Sequence, residues 1–195
     1  MRKSLTEREQ NAIRDKLIES CRVCWERYGY KKTGVAEVTA MSGISTGAFY
    51  GFFASKEMLF VETANAFTKK LYDIMTVSKP QVATRNDFAT GLTQCVNELF
   101  DNKWIFSLRE DAETILRKLP ADYMEQDFQR DVIDIAAVVA LYELTPKVPS
   151  DELTAVFHTL LMSIYLTDII GAAHKQALYM LIDSVIPNLF EQEEL

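Results

Sequence analysis

From Thr6 to Tyr28, apolar side chains stand at Ile13, Leu17, Cys21, Cys24, Trp25 and Tyr28. Steps of four, four, three, one and three keep them on one face of a 3.6-residue helix, whereas a strand would scatter them over both of its faces. Downstream the pattern recurs between breaks. Gly29 ends the first helix, and two short helical stretches follow at about 35–42 and 45–52. Ser55 is suited to cap a long helix to about Val77, with Leu59, Phe60, Ala64, Phe67, Leu71 and Ile74 inward. Lys79-Pro80 breaks before a helix from about Asn86 to Asn102, and Pro120 before one that reaches about Leu144. Thr145-Pro146-Lys147-Val148-Pro149 has the strongest linker composition in the chain, and Ser150 or Asp151 is expected to cap the next helix. No stretch sustains period-two alternation between hairpin turns. The expected fold is all-α, with about nine helices.

A chain of 195 residues, 48% hydrophobic and 25% charged, can bury a substantial core as one domain or as a small domain joined to a larger one. Its longest nearly uninterrupted apolar run, IAAVVALY at 135–142, is far shorter than the roughly 18 to 20 residues that span a bilayer. The opening MRKSLTEREQ lacks the apolar segment of a signal peptide. Three cysteines, an odd number, agree with a reducing compartment. A cytoplasmic location is expected.

The net charge of −7 argues against a polyanionic partner, but its distribution does not. Residues 1–56 hold ten Lys or Arg against six Asp or Glu, a balance of +4, which leaves −11 for the rest. A basic segment joined to an acidic body suits a module for a polyanion beside a body with another task. The two short helices fit that module. A helix-turn-helix needs a short first helix, a tight turn and a second helix whose first residues reach base edges. Here Val35 and Val38 face inward, Gly43 supplies the turn, Ile44 plugs the angle and Ser45 can cap the second helix. Phe49, Phe52 and Phe53 give that helix its buried side. A helical hairpin with no ligand would share all of these features.

In this region the sequence resembles the tetracycline-repressor (TetR) family of bacterial transcriptional regulators. The resemblance rests on Gly29, Thr33, Val35 and Val38; the turn Ser42-Gly43-Ile44-Ser45; Gly47; Phe49-Tyr50; Phe53; and Ser55-Lys56-Glu57 with Leu59. It implies a three-helix DNA-binding domain over residues 1–56, with the helix-turn-helix at about 33–52, and a helical effector-binding and dimerisation domain over 57–195 reached through a long fourth helix. By position, Thr33, Tyr50 and Lys56 would meet backbone phosphates, and Thr46, Gly47 and Ala48 would lie nearest the bases. Two positions depart from the family: residue 46, often Lys, is Thr, and residue 51, often His, is Gly.

Affinity for duplex DNA comes largely from neutralised phosphates and specificity from base edges. Between Ser45 and Ser55 there is no Lys or Arg, so the cations must come from outside the reading helix. Arg2 and Lys3 are placed for an N-terminal arm, Lys31 and Lys32 precede the first short helix, and Lys56 opens the fourth. The expected DNA-facing set is Lys31, Lys32, Thr33, Ser45, Thr46, Gly47, Ala48, Tyr50 and Lys56. Thr46 and Ala48 suit readout by hydroxyl and methyl contacts, with few bidentate guanine contacts.

Cys21 and Cys24 have the spacing of redox pairs and zinc ligands, but they sit mid-helix on the apolar face beside Leu17 and Trp25, with no second such pair. They are read as small buried hydrophobes, with thiol sensing as the alternative. His158 and His174 lack an obvious carboxylate partner, and no nucleophilic triad, phosphate-cradling loop or metal motif stands out. No metal, no cofactor and no enzymatic activity are expected.

The last two helices carry apolar residues on more than one side: Leu153, Val156, Phe157, Leu160, Leu161, Ile164, Tyr165 and Ile169, then Leu178, Leu181, Ile182, Val185, Ile186 and Leu189. Such helices need two partners, and a homodimer supplies the second, with Leu160, Ile164, Leu178, Leu181 and Val185 at its interface. Burial wholly within a monomer core is the alternative. The aromatic and methionine content of the body suits an apolar small-molecule effector, with Trp104, Phe106, Phe128 and Met162 lining its pocket and Arg109 nearby. The expected protein is a homodimeric, double-stranded-DNA-binding repressor released from its operator by a small molecule. The alternative is a regulator whose body binds a protein partner.

Overall fold

The computed structural model describes residues 5–77, 79–102, 104–119 and 135–192, with the side chains of 106–110 and 135 outside the description. Nine helices occur among these residues: α1 Glu7–Lys32, α2 Val35–Ser42, α3 Thr46–Phe49, α4 Lys56–Val77, α5 Arg85–Asp101, α6 Trp104–Leu116, α7 Ile135–Leu141, α8 Ser150–Ile170 and α9 His174–Leu189. Within α8 the turn tightens to 3-10 geometry over Ile164–Leu166. No strand is present among the described residues, and the fold is all-α as expected.

Local chemistry sets the helix ends. Thr6 caps α1 reciprocally: its hydroxyl accepts from Glu9 N at 3.3 Å, while the Glu9 carboxylate accepts from Thr6 N at 2.8 Å. Gly29, at φ 71° and ψ 169°, interrupts the helical geometry, so a last short turn over Tyr30–Lys32 leaves at a new angle. A side chain there would be strained. Thr84 and Asp87 form a second reciprocal cap at the start of α5. Ser55 Oγ accepts from Met58 N at 3.2 Å, as expected of the α4 cap.

The described residues divide into two compact units, the first within Met1–Phe67 and Ser107–Gln129, the second within Thr68–Phe106 and Arg130–Leu195. The division falls inside α4 and α6 rather than at the start of α4. In the first unit, Leu17, Cys21, Cys24, Trp25, Tyr30, Val38, Phe49, Leu59 and Phe60 are buried. Trp25 lies 4.5 Å from Phe60, and Tyr30 meets the same ring edge-on at 5.0 Å. From α6, Asp111 Oδ2 accepts from Trp25 Nε1 at 3.0 Å and from Tyr30 N at 3.4 Å.

The second unit is built on Phe88, which meets Tyr142, Phe157 and Phe190 edge-on at 5.1, 5.7 and 5.5 Å. α5 and α9 pack against each other there. Tyr142 OH donates to Met75 O at 2.6 Å. Met75 is buried where Ile74 was expected, and Ile74 is half-buried.

Two local expectations change. The Thr145–Pro149 stretch is pinned rather than free: Pro146 pairs with Phe190 in an antiparallel bridge, Lys147 N donates to Leu189 O at 2.8 Å, and Glu191 N donates to Thr145 O at 3.0 Å. The cap of α8 falls on Pro149 instead of Ser150 or Asp151; Asp151 and Glu152 then occupy the first turn, where acids complement the helix dipole.

Candidate functional site

The exposed edge of the α2–α3 pair is built from the inside out. α2 ends on Gly43, whose φ of 71° and ψ of 27° make the left-handed turn that a side chain would resist. Ile44 N donates back to Thr39 O at 3.0 Å. Ser45 then caps α3, its Oγ accepting from Ala48 N at 3.2 Å. Phe49 is fully buried and Phe53 nearly so, their rings 5.9 Å apart. These anchors turn Ser45, Thr46, Gly47 and Ala48 outward, all four exposed, with Tyr50 59% exposed and standing edge-on to Phe49 at 5.2 Å. The α-helical part of α3 is shorter than the expected 45–52. After Phe49 the chain continues through tighter turns, Gly51 N to Ala48 O and Phe52 N to Phe49 O.

Cations hold this edge from within. Arg14 donates to Phe52 O at 3.3 Å, lies 4.5 Å over the Phe53 ring and pairs with Glu62 at 3.2 Å. Lys56 Nζ donates to Tyr30 O at 2.8 Å and to Thr33 O at 2.9 Å, and sits 3.9 Å over the Tyr30 ring. Burial depresses the Lys56 pKa below the usual lysine value, against the opposing pull of Glu57. Tyr30 OH donates to Glu57 at 2.6 Å, and Lys118 donates to that hydroxyl at 3.1 Å.

Seven of the nine expected DNA-facing residues are exposed: Lys31, Lys32, Ser45 to Ala48 and Tyr50. Two differ. Thr33 is fully buried, its hydroxyl donating to Gly29 O at 2.9 Å, so its side chain closes α1 instead of facing outward. Lys56 spends two N–H groups on backbone carbonyls. Their partners lie 26 and 23 residues upstream, which is why local sequence gave no hint of either role. Arg2 and Lys3 lie outside the described residues.

Residues 17–63 match the sequence profile of the bacterial regulatory proteins of the tetR family. Over this segment the chain is similar to the tetR family. The matching segment takes in most of α1, all of α2 and α3 and the start of α4, and so contains every exposed residue of the edge, while Arg14, which supports it, lies just before the segment. An uncharacterized HTH-type transcriptional regulator of Bacillus subtilis, YuxN, is 28% identical over 94 residues, which cover 48% of this chain but only 32% of that protein. Among solved structures, a TetR-family regulator from Mesorhizobium loti superposes with a TM-score of 0.65 at 17% identity, covering 93% of this chain and 96% of that one. SmeT, the repressor of the Stenotrophomonas maltophilia multidrug efflux pump SmeDEF, gives 0.62 at 16% identity, covering 93% and 92%. SmeT is also seen in complex with triclosan. At these identities the likeness to solved structures is one of fold.

The second unit holds an apolar cavity of about 40 Å³, lined by Met75, Phe88, Leu92, Cys95, Val96, Val138, Phe157, Leu160, Leu161, Ile164, Leu178 and Ile182. Of the residues expected at an effector site, two have described side chains. Trp104 is buried and Met162 is 56% exposed, and neither lines the cavity. Phe128 and the side chains of Phe106 and Arg109 lie outside the described residues. Three residues expected at a dimer interface, Leu160, Ile164 and Leu178, line this cavity instead, because the face of each helix that carries them turns into its own unit. Leu181 is exposed and Val185 half-exposed. On α8 and α9 the large apolar side chains left in the open are Met162, Leu166, Ile169 and Ile170, and Met180 and Leu181.

The cysteines are buried. Burial pushes the Cys21 and Cys95 thiols up to about 12 and raises that of Cys24 as well. Thiols in that state are poor nucleophiles, which favours the packing reading of the Cys21–Cys24 pair. No cluster of metal-ligating side chains occurs among the described residues.

Proposed function

We propose that this protein is a cytoplasmic, homodimeric repressor that reads operator DNA with the Ser45–Tyr50 edge and is released by an apolar small molecule held in the second unit. The observation that carries the DNA reading is the exposure of Ser45, Thr46, Gly47, Ala48 and Tyr50 on a helix anchored by a fully buried Phe49. Lys31 and Lys32, both exposed, supply the phosphate contacts, and the bases meet small side chains that rely on close fit and single hydrogen bonds.

Dimerisation is supported by α8. Over an 18-residue window its mean hydropathy is 1.6, yet only 17% of that window is buried. By length and composition such a helix passes for a membrane span. Asp151, Glu152, His158 and Asp168 lie along it, however, and its exposed apolar residues recur at 162, 166 and 169, the three- and four-residue steps of a helix–helix seam. A second copy of the same face covers it most economically.

The cavity favours a neutral, apolar effector, since no charged side chain among the described residues lines it to pair with an ionised group. Release follows from linkage. A ligand that prefers a DNA-incompetent form lowers operator affinity by the ratio of its affinities for the two forms. The test is to fill the cavity. Val96→Phe is expected to leave operator binding within about twofold of the parent while abolishing release by neutral aromatic compounds that free the parent protein from DNA. A Val96→Phe protein still released at the same concentrations would place the effector elsewhere.

A further inference from the structure

A threonine hydroxyl ordinarily reads either donors or acceptors on a base edge, because it can rotate to present a proton or a lone pair. Thr46 is constrained from behind. Its Oγ1 lies 3.3 Å from Oγ1 of Thr39 on α2. The Thr39 hydroxyl is already spent, because it points at Val35 O and Ala36 O, at 2.8 and 3.1 Å. Thr39 is 2% exposed, so no solvent exchange relieves that arrangement. With the single Thr39 proton shared between backbone carbonyls, the contact between the two hydroxyls is satisfied only if Thr46 donates and Thr39 accepts.

We infer that this relay, Thr46 to Thr39 to the α2 backbone, fixes the Thr46 oxygen as a hydrogen-bond acceptor toward DNA, and so selects an exocyclic amino group, adenine N6 or cytosine N4, at one position of each half-site. The inference rests on the reading of α3 as the DNA-contacting helix. Ser45 complements it. Its oxygen accepts from Ala48 N, which leaves its proton for an acceptor outside the described residues, such as a phosphate oxygen. Two adjacent hydroxyls are thereby given opposite polarity by the backbone and side chains behind them.

The experiment compares the parent chain with Thr46→Val, Thr39→Val and Thr39→Ser on duplexes selected from a random pool, each remade with one amino group deleted at a time (purine for adenine, 2-pyrimidinone for cytosine). For the parent, deletion at one position per half-site is expected to weaken binding about threefold to tenfold, the worth of one hydrogen bond. Thr46→Val should be indifferent to that deletion. Thr39→Val, whose Thr46 proton is set free to turn toward the groove, should in addition bind a duplex with a keto oxygen in place of that amino group (hypoxanthine–cytosine for adenine–thymine, or uracil–adenine for cytosine–guanine), which the parent and Thr39→Ser should reject. Circular dichroism melting of each variant confirms that the helices are retained. A Thr39→Val protein that rejects the keto-bearing duplex as strongly as the parent does overturns the relay. So does a parent protein that binds its selected duplex specifically yet tolerates every amino-group deletion. A parent protein that binds no duplex above the level of a scrambled one instead overturns the DNA reading beneath it, so the two failures are told apart.

Discussion

Lys56 has three N–H groups, and two of them are held by Tyr30 O and Thr33 O while the ammonium rests on the Tyr30 ring. A cation that counts toward the basic balance of residues 1–56 is thus used to tie the end of α1 to the start of α4. Arg14 is used similarly, on Phe52 O and the Phe53 ring. Net charge counts cations without saying which of them face outward, and that information lies in contacts distant along the chain. Lys56→Met is expected to lower stability by about 1–3 kcal/mol while leaving the salt dependence of DNA binding nearly unchanged. Lys31→Ala with Lys32→Ala should do the reverse, flattening the slope by about one per lost phosphate contact. Thermal melting and salt-series titrations check both, and a Lys56→Met protein that melts like the parent but loses slope would return Lys56 to the DNA surface. At the same scale, Cys21 and Cys95, with thiols at about 12, should resist alkylation at pH 8 until the protein unfolds. Rapid labelling of the folded chain would revive thiol sensing.

Among elements, α1, α2, α4 and α5 were legible because their apolar spacing, the glycine stops of α1 and α2 and the Ser55 cap of α4 are local facts. The turn at Gly43 was legible for the same reason: a left-handed residue between Ser42 and Ile44 calls for glycine. The Thr145–Pro149 segment was misread because its composition is that of a linker, whereas its bridge to Phe190 depends on a partner more than 40 residues away. The corner between α8 and α9 was equally hidden. His174 opens α9, 3% exposed, with Ser163 Oγ 3.1 Å from Nε2, Thr167 Oγ1 3.0 Å from Nδ1 and the Phe100 ring at 5.6 Å. Burial lowers its pKa. The unfolded chain therefore takes up the proton first. The stability from burying a neutral imidazole is whole above about pH 6.5, the ordinary value, and is lost as pH falls from there toward the lower folded value. Melting at pH 7.5 and 5.5 should show a drop for the parent and a smaller one for His174→Gln; equal drops would mean that His174 is not the group responsible.

For the molecule as a whole, helical periodicity was enough to assign the class and approximate number of helices, and the α2–α3 edge could be located in advance. Which faces of α8 and α9 turn inward could not, because both helices are apolar on more than one side and only packing decides. Leu160, Ile164 and Leu178 were taken for interface and line a cavity, while Met162 was taken for pocket and lies exposed. If the exposed seam is where two copies meet, Ile169→Glu with Leu181→Glu should sediment as a monomer with unchanged helical content and bind a two-half-site duplex far more weakly than the parent. A dimer that persisted would move the interface away from this face.

The most direct test is a fluorescence-anisotropy titration of the full chain against a duplex selected from a random pool and against its scrambled counterpart, repeated over a salt series. The expected result is binding to the selected duplex at least about a thousandfold tighter than to the scrambled one at physiological salt, with affinity for both falling steeply as salt rises. Equal affinity for the two duplexes at every salt concentration, or no binding to either at low salt, would contradict the reading of the Ser45–Tyr50 edge as a DNA-recognition surface.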